Sequence, residues 1–160
     1  MSQARYPAIA TVQAAQAGSH RGYLRIGGRS FACALGRSGI TADKREGDGA
    51  TPAGRLALVE VLYRADRVDR PKTTLPVRVI APDDGWCDEP GDLHYNRLVK
   101  LPLAASHERL WLEEEVYDIL IVLDWNFAKP VPGRGSAIFL HVAREDFSPT
   151  AGCVALALAD

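Results

Sequence analysis

The sequence predicts a mainly β fold, a sandwich or barrel with short helices, and three observations predict it. Six runs alternate or carry β-branched and aromatic residues in the manner of strands. The connectors between them are rich in Gly, Pro and Asp. Only one segment reads as helical, and it is short. The 160 residues suit a single catalytic-size domain over 1–160, with 1–20 as a loose N-terminal segment.

Taken in order, Tyr23–Ile26 and Ser30–Leu35 flank Gly27-Gly28-Arg29, a hairpin signal. Arg55–Tyr63 is strongly β-prone, with Leu56, Leu58, Glu60 and Leu62 on one face and Ala57, Val59, Val61 and Tyr63 on the other. Pro76–Ile80, Tyr117–Leu123 and Ser136–Val142 add three strands. Pro102–Glu108 is the short helix. Gly36–Pro52 and Pro82–Arg97 are long polar loops, and the second carries Trp86, Asp88, Asp92, His94, Tyr95 and Asn96. Loops of that length are functional or disordered, and aromatics mixed with acids point to function.

Net charge is −1 and the isoelectric point about 6.4, which gives no nucleic-acid surface. No apolar run is long enough for a transmembrane helix. Met1 to Gly18 contains Arg5 but no apolar h-region, so no secretory signal is read. A cytoplasmic protein, another export route, and a sequence lacking its signal all stay open. The three cysteines leave at least one free thiol. Cys33 sits in an apolar run and reads as packing, whereas Cys87 lies in the polar Asp84-Gly85-Trp86-Cys87-Asp88 stretch. The acids of Asp83–Asp92, with His94, fit neither a calcium nor a zinc spacing. Asp43–Gly49 is broken as a calcium loop by Lys44-Arg45. No metal and no cofactor is expected.

Chemistry concentrates in Leu140–Cys153. His141 ends an apolar run, and Cys153 follows 12 residues later behind Thr150-Ala151-Gly152. A thiol attacks acyl groups as the thiolate and needs a base, which His141 can supply. The Gly152 and Cys153 N–H groups on a tight turn can stabilise an oxyanion. The stretch reads as a thiol acyl-transfer site. Gly133-Arg134-Gly135-Ser136 turns the chain into the His141 strand and directs Arg134 toward it.

These features together resemble the YkuD-type L,D-transpeptidases, the family also known by ErfK, YbiS, YcfS and YnhG, which are cell-wall enzymes with a cysteine nucleophile. The resemblance rests on His141 with Thr150-Ala151-Gly152-Cys153 and on Gly47-Asp48-Gly49-Ala50-Thr51-Pro52-Ala53-Gly54, and it runs from about Gly22 to Leu156. Asp84–Pro90, Tyr95-Asn96-Arg97 and Gly133–His141 look like a compact proteobacterial branch associated with 1–3 rather than 3–3 cross-links.

The resemblance implies an L,D-transpeptidase catalytic-domain fold with Cys153 as nucleophile and His141 as base. Thr150, Ala151 and Gly152 would shape the oxyanion turn, and the Val142 carbonyl would orient the imidazole. Trp86 and Tyr95 would wall the substrate groove. Asp88 would take an ammonium and Arg97 or Arg134 a carboxylate, with Ser136 beside them. The implied partners are peptidoglycan stem peptides, a tetrapeptide donor and an amine acceptor, and also free D-amino acids. A monomer is expected. The implied location is the periplasm or cell envelope, and carbapenems would acylate Cys153.

Three departures from the family pattern stand out. Ala151 replaces a frequent histidine, and Ala155 stands where relatives carry Arg or Asn. The chain also ends at Asp160, where relatives continue into a helix and strand, so it is expected to be cut short at its C-terminus. Two alternatives follow. One is an L,D-carboxypeptidase or thiol amidase on the same site; the other is a peptidoglycan-binding module whose site has decayed.

Overall fold

The computed structural model describes residues 8–160. In chain order the strands are β1 Thr11–Ala14, β2 Arg21–Ile26, β3 Arg29–Ala34, β4 Ile40–Thr41, β5 Thr51–Pro52, β6 Leu58–Tyr63 and β7 Val77–Val79. They continue with β8 Asp84–Cys87, β9 Arg97–Lys100, β10 His107–Arg109, β11 Ile119–Leu123, β12 Phe139–Val142 and β13 Val154–Leu156. The main sheet has the order β1-β2-β3-β13-β12-β11-β6-β7; β10-β8-β9 form a second sheet, and β4 pairs with β5. The one helical element among the described residues is a 3₁₀ turn, Glu115–Tyr117. The fold is mainly β, as the patterning predicts. Among the described residues no helix is long and apolar enough to cross a membrane.

The hairpin forms as expected, with β2 paired to β3 up to Ile26↔Arg29. Gly27 and Gly28 both take positive φ, which a two-residue hairpin turn requires. Thr11–Ala14 is not loose: it is the edge strand β1, paired along its length with β2. Residues 15–20 turn into β2, with the Ala15 N–H on the Arg21 carbonyl at 2.8 Å, and residues 1–7 of that expectation lie outside the described residues.

Three expectations need correction. The first concerns Pro102–Glu108, which forms no helix; Leu101–Ser106 is irregular and His107–Arg109 is a strand. The segment is too short to repay helix nucleation, whereas pairing His107↔Cys87 through Arg109↔Gly85 satisfies its backbone. The second concerns Asp84–Cys87, which is not loop but the fully buried strand β8. Its polar opening residue is neutralised locally, because Asp84 accepts from the Ala81 N–H at 2.8 Å and pairs with Lys100 at 2.8 Å. The third concerns two strand starts. β6 begins at Leu58 rather than Arg55 and β12 at Phe139 rather than Ser136, since Ala137 has φ +52° and leaves the extended conformation.

Register fixes which side chains meet. Leu62 lies opposite Leu120, Leu120 opposite His141, and His141 opposite Ala155. Residues directly opposite share a face, and Cys153 is two residues before Ala155, so Cys153 and His141 fall on the same face of the main sheet. That face carries the core of Leu62, Leu120, Val122, Phe139 and Cys153, and Ile80, Trp86, Leu110 and Tyr117 close it from the other side. The Trp86 ring meets Phe139 edge to face at 5.0 Å. The second sheet thus forms the lid of the core beside the thiol.

Candidate active site

The turn that carries the thiol is held by backbone from a distant part of the chain and by its own Thr150 side chain. The Thr150 N–H donates to the Leu35 carbonyl at 2.9 Å, and the Arg37 N–H to the Thr150 carbonyl at 3.0 Å. Strand β3 therefore anchors the loop. The Thr150 hydroxyl accepts from the Gly152 N–H at 3.1 Å and donates to the Cys153 carbonyl at 2.7 Å. That closes a tight turn and accounts for a hydroxyl residue three positions before the cysteine. It also changes the expected oxyanion donors. The Gly152 N–H is committed to Thr150, and among the described residues the Cys153 N–H makes no hydrogen bond and stays available.

Gly152 has φ +146°, and a Cβ there would lie 2.8 Å from the Ala50 carbonyl oxygen. Ala50 is itself fixed, by its N–H on Asp48 Oδ1 at 2.9 Å. The next residue, Thr51, accepts from the Gly36 N–H at 2.9 Å. The Gly47–Gly54 segment is thus the backstop of the cysteine turn. A Gly152→Ala substitution is expected to push the turn off that backstop. Turnover should fall roughly 10²-fold, the scale of a misplaced oxyanion donor, with stability reduced by about 1–3 kcal/mol for the strained backbone. Steady-state rates together with a thermal melt measure both.

Cys153 is 6% exposed. Its thiol donates to the Ala137 carbonyl at 3.2 Å and lies 3.4 Å from the Phe139 N–H. Burial, and then the charge of Glu108, push it up to about 12; the Phe139 N–H and Lys44 oppose this. His141 is half-buried, with Nδ1 2.9 Å from the Val142 carbonyl. A carbonyl only accepts, so Nδ1 carries the proton and Nε2 is left as the acceptor. The Tyr117 ring stands edge-on to the imidazole at 5.3 Å and 87°. Burial holds His141 below the usual imidazole value; Arg144 pushes the same way, while the Val142 and Val116 carbonyls oppose it. At neutral pH the resting pair is therefore a neutral imidazole and a protonated thiol.

Both groups line one cleft of about 360 Å³. Asp88, Ser136, Thr150 and Ala151 line it too. Asp88 Oδ1 is buried there without a hydrogen-bond partner among the described residues. Four expected substrate contacts do not reach the cleft. Trp86 is 1% exposed and gives its indole N–H to Asn96 Oδ1 at 2.9 Å, so it is core rather than groove wall. Tyr95 is buried and spends its hydroxyl on Glu46 while accepting from the Gly135 N–H at 3.1 Å. Arg97 lies over the Phe127 ring at 5.1 Å. Arg134 points to Asp43 at 3.6 Å.

The cleft instead gathers residues that the sequence did not single out: Arg37, Lys44, Glu46, Glu108, Tyr117 and Arg144. Glu46 is held by the Ser136 hydroxyl at 2.7 Å, and Glu108 accepts from the Tyr117 hydroxyl. Lys44 is 3% exposed and paired with Asp48. Cys33 and Cys87 are free and buried. Cys87 lies inside β8 and not in an open loop, and burial pushes the Cys33 thiol up to about 11. Among the described residues, no three His, Cys, Asp or Glu side chains gather as a metal site.

The family model described as the YkuD L,D-transpeptidase catalytic domain matches residues 14–160. No curated protein matches the chain, and no solved structure does.

Proposed function

We propose, from the premise that this chain belongs to the YkuD family of L,D-transpeptidase catalytic domains, that it transfers acyl groups between peptidoglycan stem peptides through a thioester on Cys153. One observation carries the reading. The Cys153 thiol and the His141 imidazole share a face of the sheet and open into the same cleft, with Nδ1 tied to the Val142 carbonyl.

In the first step His141 Nε2 takes the thiol proton as sulfur bonds to the carbonyl carbon of the donor. The developing oxyanion is met by the Cys153 N–H. Collapse breaks the C–N bond, the imidazolium returns its proton to the leaving amine, and D-alanine departs from a tetrapeptide stem. An amine of a second stem, or of a free D-amino acid, then attacks the thioester and regenerates the thiol. The proton that leaves with D-alanine is replaced by one from the attacking acceptor amine, relayed through His141 to the departing sulfur, so general acid–base transfer carries both half-reactions. Asp88, whose buried oxygen lacks a partner, receives the donor's ammonium. Arg37 and Arg144, on the cleft wall, replace Arg97 and Arg134 as the carboxylate contacts. Cross-links of the 3–3 or 1–3 type in the cell envelope are the product.

The direct test is mass spectrometry of disaccharide-tetrapeptide incubated with the protein. A dimer lighter than two monomers by one alanine supports transfer, and fragmentation of the dimer identifies the acceptor amine. Tripeptide alone supports the carboxypeptidase instead, and no product removes the reading.

The acid limb of the pH profile is a second test. Burial holds His141 below the usual imidazole value, and the base works only when neutral. Lowering the pH therefore stops catalysis later than it would for a free imidazole. The acid limb of kcat/KM is expected below about 6.5, the ordinary histidine value. A limb above that value would contradict His141 as the base.

A further inference from the structure

Glu108 is a half-buried titratable group to which the proposed cycle gives no task, yet it stands at the end of a chain of contacts that reaches the imidazole. It lies in the middle of β10, opposite Trp86, and its side chain lines the cleft. Tyr117, 5% exposed, donates its hydroxyl to Glu108. The same Tyr117 ring stands edge-on to His141 at 5.3 Å and to Phe139 at 6.0 Å. Phe139 is the residue whose N–H touches the thiol sulfur, at 3.4 Å. One carboxyl from the second sheet thus fixes the phenol that packs against His141 and against Phe139, whose N–H touches the thiol.

We propose that Glu108 is a positioning residue for the Cys153–His141 pair, holding the Tyr117 ring that sets the imidazole plane and setting its own carboxyl in the cleft into which the thiol opens. The inference rests on the reading of Cys153 and His141 as the reacting pair. The two effects act in opposite directions. The held phenol keeps Nε2 in place to accept the thiol proton. The carboxylate charge raises the energy of the thiolate and so keeps the thiol protonated until something in the cleft offsets it. Every charged neighbour has a defined sense. Desolvation raises Glu108, the Tyr117 hydroxyl lowers it, and Asp88 and Glu46 raise it. Glu108 and Lys44 line the same cleft as the thiol, the first raising it and the second lowering it. Arg144 disfavours a charged His141 and acts on Tyr117 in the opposite sense to Glu108.

The geometry separates positioning from plain support, because the same hydrogen bond can be altered from either end. Glu108→Gln keeps an acceptor for the phenol and removes the charge. Tyr117→Phe keeps the ring and removes the hydroxyl. The probe is iodoacetamide, with Cys153 labelling followed by peptide mass spectrometry from about pH 5 to pH 10, and thermal melts show that each variant is folded. For Glu108→Gln the rising limb of the labelling profile should move down by about one pH unit, the scale of removing a nearby charge. Labelling at pH 7 should then rise about tenfold, because one unit is a factor of ten. For Tyr117→Phe labelling at pH 7 should fall about fivefold as base assistance weakens.

A Glu108→Gln profile that superimposes on wild type overturns the inference. So does a fall in both variants in parallel with melting temperature, and so does the absence of Cys153 labelling across the whole range. The peptidoglycan assay keeps the two readings apart. Opposite shifts in labelling without turnover of disaccharide-tetrapeptide leave Glu108 as the positioning residue and remove the function. Turnover with unshifted profiles does the reverse.

Discussion

A Cys153→Ala variant is expected to release no D-alanine from disaccharide-tetrapeptide and to form no dimer, a fall on the order of 10⁴–10⁶ in turnover when a nucleophile is deleted. Folding should survive. The side chain packs in the apolar cluster with Phe139, Val122 and Tyr117, and trimming one sulfur from such a site costs about 1 kcal/mol. The Ala137 carbonyl loses a weak S–H donor at 3.2 Å, and the Phe139 N–H loses a weak acceptor. Alanine is the better control than serine, because serine would bury a more strongly solvated hydroxyl in the same place. Cys33 and Cys87 remain as buried thiols, so any covalent carbapenem or iodoacetamide adduct that disappears with the substitution belongs to Cys153. A folded alanine variant with normal turnover would move the nucleophile elsewhere.

Where the sequence was legible, the physics was local. The Gly27-Gly28 turn announces its hairpin because only glycine enters positive φ freely at both positions. The apolar run within Tyr117–Leu123 announces a strand because one face, Leu120 and Val122, is buried and the other, Ile119 and Ile121, half-buried. Strand β8 was illegible for the converse reason. Asp84 and Gly85 read as loop, yet Lys100 neutralises the acid and a Cβ at Gly85 would lie 2.9 Å from the Leu101 side chain, so the glycine is there for packing. The cysteine and histidine could be read from their spacing. Their surroundings could not, since they are assembled from distant segments. Glu46 meets Ser136 across 90 residues and Tyr95 across 49. The same distance effect misdirected Trp86 and Tyr95. An aromatic in an acidic stretch looks like a groove wall until the neighbouring sheet closes over it.

The second large effect falls on the base. With burial and the Glu108 charge pushing the thiol well above its ordinary value, almost none of it is thiolate at pH 7, and turnover needs help. Deprotonation must accompany attack, and the imidazole is the group in place to receive the proton. His141→Asn is the informative substitution, because the asparagine amide nitrogen takes the place of Nδ1 and can still donate to the Val142 carbonyl, as Nδ1 does at 2.9 Å, and so preserves the local backbone. The variant is expected to lose roughly 10²–10⁴-fold in kcat at pH 7, the range of a positioned general base. The loss should shrink as pH rises. Once hydroxide does the work of the imidazole, the rate should climb about tenfold per pH unit toward the ionisation of the thiol itself. Wild type should instead be flat above the titration of His141. Those slopes separate a base from a structural histidine. A merely structural histidine would give a loss that does not change with pH and that follows the melting temperature. If Glu108 acts as inferred, combining His141→Asn with Glu108→Gln should recover part of the loss. Removing the carboxylate brings the thiol's own ionisation closer to neutral, which is the one route left when no base remains.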